Sequence, residues 1–465
     1  MRWIDLLRMS SSSLRRRKLR TFLTVLGVVV GTASIVVMVS LGLGMQQSIY
    51  KEVEQSGGMT AITVTGKGVG SEMYFSDDSS QEEMKFITDE TIEELSKLEH
   101  VKSASPKLSM NSIMLFGKYI GNIQLVGLTQ EEMLRQNIKM IEGSRLPEEG
   151  TGTLELIFGN GAPTMFYEKG TYSGYWEKRM LPEIDFMKDQ MFLILDEQSY
   201  YETQHQQSSP LDAGANESKP SRPPKKYVVQ GCGMVEGDPE SFNAHYSNVY
   251  CEINTLRSML QKEFAGRAIP GQPTTKTGKP YRFFAYSSAL VQADDIDHVE
   301  SLAAEIQAKG FQVETNAEYV KSMQKQFAMV QALLGGIGAV SLFVAAIGIA
   351  NTMMMSIYER TKEIGVIKVL GCSLRNIKQM FLLEAGFIGL IGGVVGNLLS
   401  LLMSFGINWV AKSAQMMGAD TKVSYIPLWL VLASLLFAIF VGMAAGYFPA
   451  VRATKLSPLE AIRNN

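Results

Sequence analysis

The chain has 465 residues, 46% hydrophobic and 19% charged, with a formal net charge of −2. That average conceals a division. Residues 47–325 hold 27 Lys/Arg against 40 Asp/Glu, a net of −13, and contain no bilayer-length apolar run. Long uncharged runs flank this block, which excludes a wholly soluble protein, and an acidic block of this size is not expected to bind nucleic acid.

Residues 1–21 read as an amphipathic helix, with Trp3, Leu6, Leu7 and Leu14 on one side and arginines on the other. Such a helix lies in the headgroup plane, although a plain basic flank accounts for the same residues. Residues 22–46 read as a first span, uncharged from Phe22 to Met45. This core exceeds the roughly 7–15 residues of a signal-peptide core, so the segment is read as a retained anchor.

The block 47–325 reads as mixed α/β. Ala61–Thr65 alternates like a strand, and Thr88–Glu99 has helical spacing with Thr88 as N-cap. Val101–Leu108 and Ile123–Leu128 follow as strands. Tyr281–Tyr286 as strand, Asp294–Ala308 as helix and Phe311–Glu314 as strand repeat the alternation. Between these αβ units lies a β-rich part at about 146–255, with strand-like runs at Leu154–Phe158, Met191–Leu195, Tyr227–Val235 and Asn248–Ile253. Residues 203–226 are polar and Pro-containing and read as a mobile loop, and Gly266–Pro280 as a shorter one.

After Asn316 a helical pattern runs directly into a second span at 326–358, uncharged from Ala328. A connection at 359–378 leads to a third span at 379–411, whose one acid is Glu384. A fourth follows at 423–450, then a tail at 451–465. Each run exceeds the roughly 18–20 residues that cross a bilayer core of about 30 Å. Seven basic residues (Arg2, Arg8, Arg15, Arg16, Arg17, Lys18 and Arg20) precede span one. Arg360, Lys362, Lys368, Arg375 and Lys378 lie between spans two and three, whereas the connection between spans three and four has only Lys412 and Lys422. The positive-inside rule then puts both termini and the 359–378 connection in the cytoplasm and the acidic block outside.

Catalytic signatures are scarce. There is no Gly-x-x-x-x-Gly-Lys-Ser/Thr loop, and His100, His205, His245 and His298 show no metal-ligand spacing. No cofactor is expected on this chain. Cys232 and Cys251 fall in the outer block, where a disulfide is allowed, and two buried free thiols are the alternative; Cys372 is expected to stay reduced. Small-residue pairs occur in the spans: Gly27 and Gly31, Gly389 and Gly393, Gly392 and Gly396, Gly442 and Gly446. Such pairs let helices approach closely, either within the chain or across a dimer seam. Glu384, an intramembrane acid, is a candidate functional group that Arg360 or Lys378 could neutralise. In the connection, Glu359, Arg360, Glu363, Lys368 and Arg375 alternate in sign around Ile364, Val366, Ile367 and Leu370. Gly365 and Gly371 are expected to interrupt the helix there. A short amphipathic helix of this kind suits docking into a partner's groove.

The stretch Glu359-Arg-Thr-Lys-Glu-Ile-Gly, with Lys368-Val-Leu-Gly after it, resembles the signature of the MacB/FtsX family of ABC-transporter permeases. The segments Leu14–Gly27, Phe381–Ala385 with Gly392–Gly396, and Gly446–Arg463 resemble further family motifs in family order. The resemblance implies four transmembrane α-helices plus a large mixed α/β extracytoplasmic domain, a porter-like αβ part (about 47–145 and 255–325) carrying an inserted β part. It implies a dimer with a second permease copy or paralogue in the bacterial plasma membrane. It further implies a separate ATPase subunit that holds Mg-ATP and contacts a coupling helix at 359–375, an extracytoplasmic adaptor or substrate-binding protein, and mechanotransmission serving export of peptides, antibiotics or other amphipathic molecules. Activation of a cell-wall hydrolase, release of lipoproteins, and a membrane-anchored sensor without an ATPase are the alternatives.

Overall fold

The computed structural model describes residues 18–66, 85–150, 152–170, 174–208, 224–275, 277, 279–413 and 422–455. Most of the amphipathic segment expected at 1–21, residues 209–223 of the polar loop, and the tail from 456 onward lie outside the described residues. Two compact units emerge. One draws on residues up to Ser48 and from Met323 onward, the other on Ile49–Ser322.

In chain order the elements are α1 (Lys18–Gln55), β1 (Ala61–Thr65), α2 (Asp89–Ser96), β2 (Val101–Phe116), β3 (Tyr119–Leu128), α3 (Gln130–Arg135), β4 (Leu154–Phe158) and β5 (Phe166–Glu168). There follow α4 (Tyr175–Lys178), β6 (Met191–Ile194), α5 (Glu197–Ser208), β7 (Tyr227–Met234), β8 (Asn248–Glu252), α6 (Ile253–Glu263), β9 (Ser288–Ala293), α7 (Val299–Ala308) and β10 (Gln312–Thr315). The chain closes with α8 (Asn316–Glu359), α9 (Thr361–Val369), α10 (Leu374–Ser413) and α11 (Leu428–Lys455). Helices α1, α8, α10 and α11 are each long and apolar enough to cross a membrane.

In the second unit, β10, β1, β9 and the first half of β2 form an antiparallel sheet in that order. With α2 between β1 and β2, and α7 between β9 and β10, this is the β-α-β-β-α-β order of a split βαβ unit. Its core includes Ile62, Val64, Leu95, Val291, Leu302 and Ile306, each at most 2% exposed. Thr88 caps α2 as expected, its hydroxyl accepting from the Thr91 amide.

The β-rich part is a closed barrel that reaches beyond the expected 146–255, since the second half of β2 and all of β3 belong to it. The second half of β2 pairs with both β3 and β6, and the ring closes through β6–β7, β7–β4, β4–β8 and β8–β3. Alternate residues of the six strands, among them Met114, Leu125, Leu156, Leu193, Val229 and Cys251, meet in one buried cluster. A small barrel fills its interior in this way, and closure leaves few free edges for unwanted pairing. β2 runs through 16 residues and so is shared between the open sheet and the barrel.

Two expectations from the sequence are corrected. Tyr281–Tyr286 is not a strand: Tyr281 and Phe283 pack on Phe86, and only Tyr286 makes a bridge, to Ile87. Their apolar alternation is used in aromatic packing, and the ladder position falls to β9. Residues 203–208 are helical, as the end of α5. Of the two readings open for Cys232 and Cys251, buried free thiols are the one found. The strand β4 lies between β7 and β8, so each sulfur instead faces a neighbouring carbonyl, Cys232 Sγ that of Leu156 at 3.4 Å and Cys251 Sγ that of Val126 at 3.9 Å.

Candidate docking connection

The α8–α10 connection is built on two breaks in the helix. At Arg360 the backbone leaves helical geometry (φ −104°, ψ 16°). Its amide donates to the Ser356 and Ile357 carbonyls at 3.2 Å, and its carbonyl accepts from Ile364 N at 3.0 Å. At the far end Gly371 has φ +85°, a left-handed conformation that glycine adopts at little cost and that commonly ends a helix. Ser373 then caps α10, its Oγ accepting from the Asn376 amide at 3.3 Å. Gly365, expected to interrupt the helix, lies inside α9 and is buried.

The two faces of α9 differ. Inward, Ile364 is 2% exposed and joins Ile377, Met380 and Phe381 in the core of the first unit. Lys368 Nζ donates to the Thr454 carbonyl at 2.9 Å, near the C-terminus of α11, where orphan carbonyls favour a cation. Arg360 Nη1 lies 3.9 Å from Glu384 Oε2, with the two side chains 21% and 5% exposed. Outward, Lys362, Glu363 and Arg375 surround three apolar side chains, Val366, Val369 and Leu370, exposed by 49%, 65% and 79%. Glu359 and Gly371 are exposed at the two ends. The expected docking set thus divides. Arg360, Ile364, Gly365 and Lys368 lie inward; Glu363, Leu370, Gly371 and Arg375 face outward with Val366 and with Val369, which the sequence did not single out.

The span glycines face other helices of the same chain. A Cβ added at Gly27 or Gly31 would meet Ala345 or Leu342 of α8. One at Gly389 or Gly393 would meet Ala438 of α11, and one at Gly392 or Gly396 would meet Val28 or Thr32 of α1. Gly442 and Gly446 press on Ala385. Sequence reasoning missed a buried polar knot beside them. Ser424 Oγ lies 2.8 Å from both Ser40 Oγ and Ser404 Oγ, and Ser424 exchanges backbone hydrogen bonds with the Asn408 amide group. Such side chains act as glue between helices in lipid.

In the second unit, His245 is 4% exposed and its Nδ1 lies 2.7 Å from Tyr250 Oη; burial holds its pKa down to about 4. His100 and His298, unrelated by sequence spacing, stack with ring centroids 3.6 Å apart.

Residues 21–161 match the MacB-like periplasmic core domain and residues 335–458 the FtsX-like permease C-terminal domain. The chain is 25% identical over 465 residues to the macrolide export ATP-binding/permease protein MacB of Vibrio parahaemolyticus, covering 99% of this chain and 60% of that protein. It is 24% identical to an uncharacterized ABC transporter permease of Methanocaldococcus jannaschii, covering 99% and 98% of the two chains, and 24% identical to the ABC transporter permease YtrF of Bacillus subtilis, covering 100% and 99%. Among solved structures, the periplasmic region of MacB from Actinobacillus actinomycetemcomitans aligns at 14% identity over 59% of this chain and 97% of its own, with a TM-score of 0.33. The extracellular domain of the transporter YknZ aligns at 12% identity over 55% and 100%, with a TM-score of 0.29. The two domain matches together cover more than half of the sequence, and this membrane protein with an extracytoplasmic domain belongs to the MacB/FtsX-like family of ABC transporter permeases.

Proposed function

We propose that the chain is the transmembrane subunit of an ABC transporter whose separate ATPase docks on α9, and that nucleotide-driven movement of that ATPase shifts the spans and the extracytoplasmic domain. The observation that carries this reading is the outward face of α9. Val366, Val369 and Leu370 stand exposed within a charged rim, while Ile364, Arg360 and Lys368 fix the helix from below. An anchored helix with an exposed apolar centre is suited to transmit force, because a push on it reaches α10 and α11 through packed contacts. The basic residues of the same connection favour the cytoplasmic side, where ATP is available.

Mg-ATP would be held by the partner, and a second permease copy or paralogue would complete the assembly. The large outer block favours export or efflux of peptides, antibiotics or other amphipathic molecules over regulation of a cell-wall hydrolase. The test is purification of the tagged chain from its native membrane in detergent, with ATPase activity measured on what co-purifies. A nucleotide-binding subunit whose retention depends on residues 359–375 supports the reading. Purification of the chain alone, without ATP hydrolysis, overturns it in favour of a membrane-anchored binding protein.

A further inference from the structure

Three side chains converge where β2 begins and β9 ends. His100 immediately precedes β2 and adopts φ +66°, a left-handed conformation that histidine accepts more readily than most residues. Asp294 immediately follows β9, and its amide donates to the His100 carbonyl at 2.9 Å. His298 ends the short turn Ile296–His298 that leads into α7. Asp294 Oδ2 lies 3.0 Å from His100 Nδ1 and Asp294 Oδ1 lies 2.8 Å from His298 Nδ1. Hydrogen bonds from His298 and His100 hold the Asp294 carboxyl down to about 2, so it is an anion at neutral pH.

We infer that His100, Asp294 and His298 form a binding site for a divalent transition metal of the zinc, cobalt and nickel class. Two imidazoles and one carboxylate are the donor set such ions prefer, and three protein ligands leave positions for water. Ligands at about 2.0–2.1 Å from a tetrahedral ion stand about 3.3 Å apart. The donor atoms here lie within 4.8 Å of one another, and the two nitrogen–oxygen separations are already close to that bite, so small side-chain rotations suffice. The ion would take the place of the N–H hydrogens that now point at Asp294, each neutral imidazole keeping its single proton on Nε2. Glu99, whose Oε1 is 4.0 Å from His100 Nε2, adds negative charge, as do Asp295 and Asp297 beside His298. The side chains of His100, Asp294 and His298 are 39%, 47% and 38% exposed, which gives an ion access from solvent. Bound there, it would cross-link the start of β2 to the turn that joins β9 and α7, two segments that meet only through the fold.

The competing account is a hydrogen-bonded surface triad that never takes up metal. The experiment uses the full chain in detergent, purified on a histidine-free tag and stripped with chelator, then titrated with Zn2+ by calorimetry and with Co2+ by visible absorption. The expected result is one ion per chain with low-micromolar affinity, Co2+ ligand-field bands, a melting temperature raised by Zn2+, and no competition from Mg2+ or Ca2+, which prefer all-oxygen shells. His298→Gln, Asp294→Asn and His100→Asn, the last chosen because Asn tolerates the left-handed backbone, should each weaken binding roughly tenfold or more. The half-exposed His298 supports no buried packing, so His298→Gln decides the matter if either other variant fails to fold. A wild-type chain that takes up no Zn2+ in this range, or a folded His298→Gln chain with unchanged stoichiometry and affinity, overturns the assignment.

Discussion

Arg360 Nη1 stands 3.9 Å from Glu384 Oε2, and the pair ties the break after α8 to the first turns of α10 beneath the exposed face of α9. The intramembrane acid therefore faces the cation at which the chain turns into α9. Removing Arg360 leaves a 5%-exposed carboxylate without that cation. Arg360→Ala is expected to cost roughly 2–4 kcal/mol, a little below the range for a fully buried pair because Arg360 keeps some solvent contact. Glu384→Gln should cost less, and the double variant Arg360→Met/Glu384→Met should recover part of the loss. Melting temperatures of the detergent-solubilised chains test this; equal losses in Arg360→Ala and the double variant would show the pair to be energetically idle.

Leu370 is 79% exposed, so Leu370→Ala should leave the melting temperature nearly unchanged. If α9 is the docking helix, the same substitution should weaken retention of the ATPase by about 2 kcal/mol, roughly 30-fold. Glu363→Lys should act in the same direction through its charge. Co-purification at matched expression measures both, and full retention in the Leu370→Ala chain would move the contact elsewhere.

A Cβ at Gly442 would lie 2.6 Å from the Ala385 carbonyl oxygen, whereas one at Gly406 has nothing within 4 Å. Gly442→Ala must push α10 and α11 apart and should cost roughly 1–3 kcal/mol. Gly406→Ala should be tolerated. A thermal-stability comparison of the two variants checks the close crossing, and equal stability would argue against it.

His245 gives the outer domain an acid sensitivity. Its pKa, near 6.5 when unfolded, is held at about 4 by burial in the folded state. Above pH 6.5 both states are neutral and the full stability is present. Between pH 6.5 and 4 only the unfolded chain takes the proton, so stability falls by about 1.4 kcal/mol per pH unit, roughly 3 kcal/mol in all. Below pH 4 both states are protonated and this residue removes nothing further. Melting temperatures recorded from pH 7.5 to 4.5 should show the decline in the wild-type chain and a flatter profile in His245→Gln; identical profiles would remove His245 as the cause.

Much of the local structure was legible in the sequence because its cause is local. Charge-free runs such as Phe22–Met45 mark helices that can cross a membrane, since the bilayer imposes a length and a composition on any one segment. Ala61–Thr65 and Leu154–Phe158 are strands with the expected boundaries, and Thr88 caps its helix by reaching three residues along its own chain. α6 was missed because it follows β8 without a break, so its start falls in a strand-like run.

The 359–378 connection was legible in part. The alternating charges of 359–375 identify a short amphipathic helix, but alternation does not say which charges turn inward. That depended on Glu384 and on the Thr454 carbonyl, which attract Arg360 and Lys368 from other helices.

By itself, then, the sequence determined the four long apolar helices, the acidic mixed α/β block between the first two, and the family motifs at both ends, all of which follow from periodicity and composition within short windows. Only the tertiary structure decided that the β-rich part closes into a six-stranded ring, that Cys232 and Cys251 are kept apart by β4, and that His100 meets Asp294 and His298. Each of these depends on strand register between segments distant in the chain, and register is set by packing, closure and side-chain fit that no local pattern records.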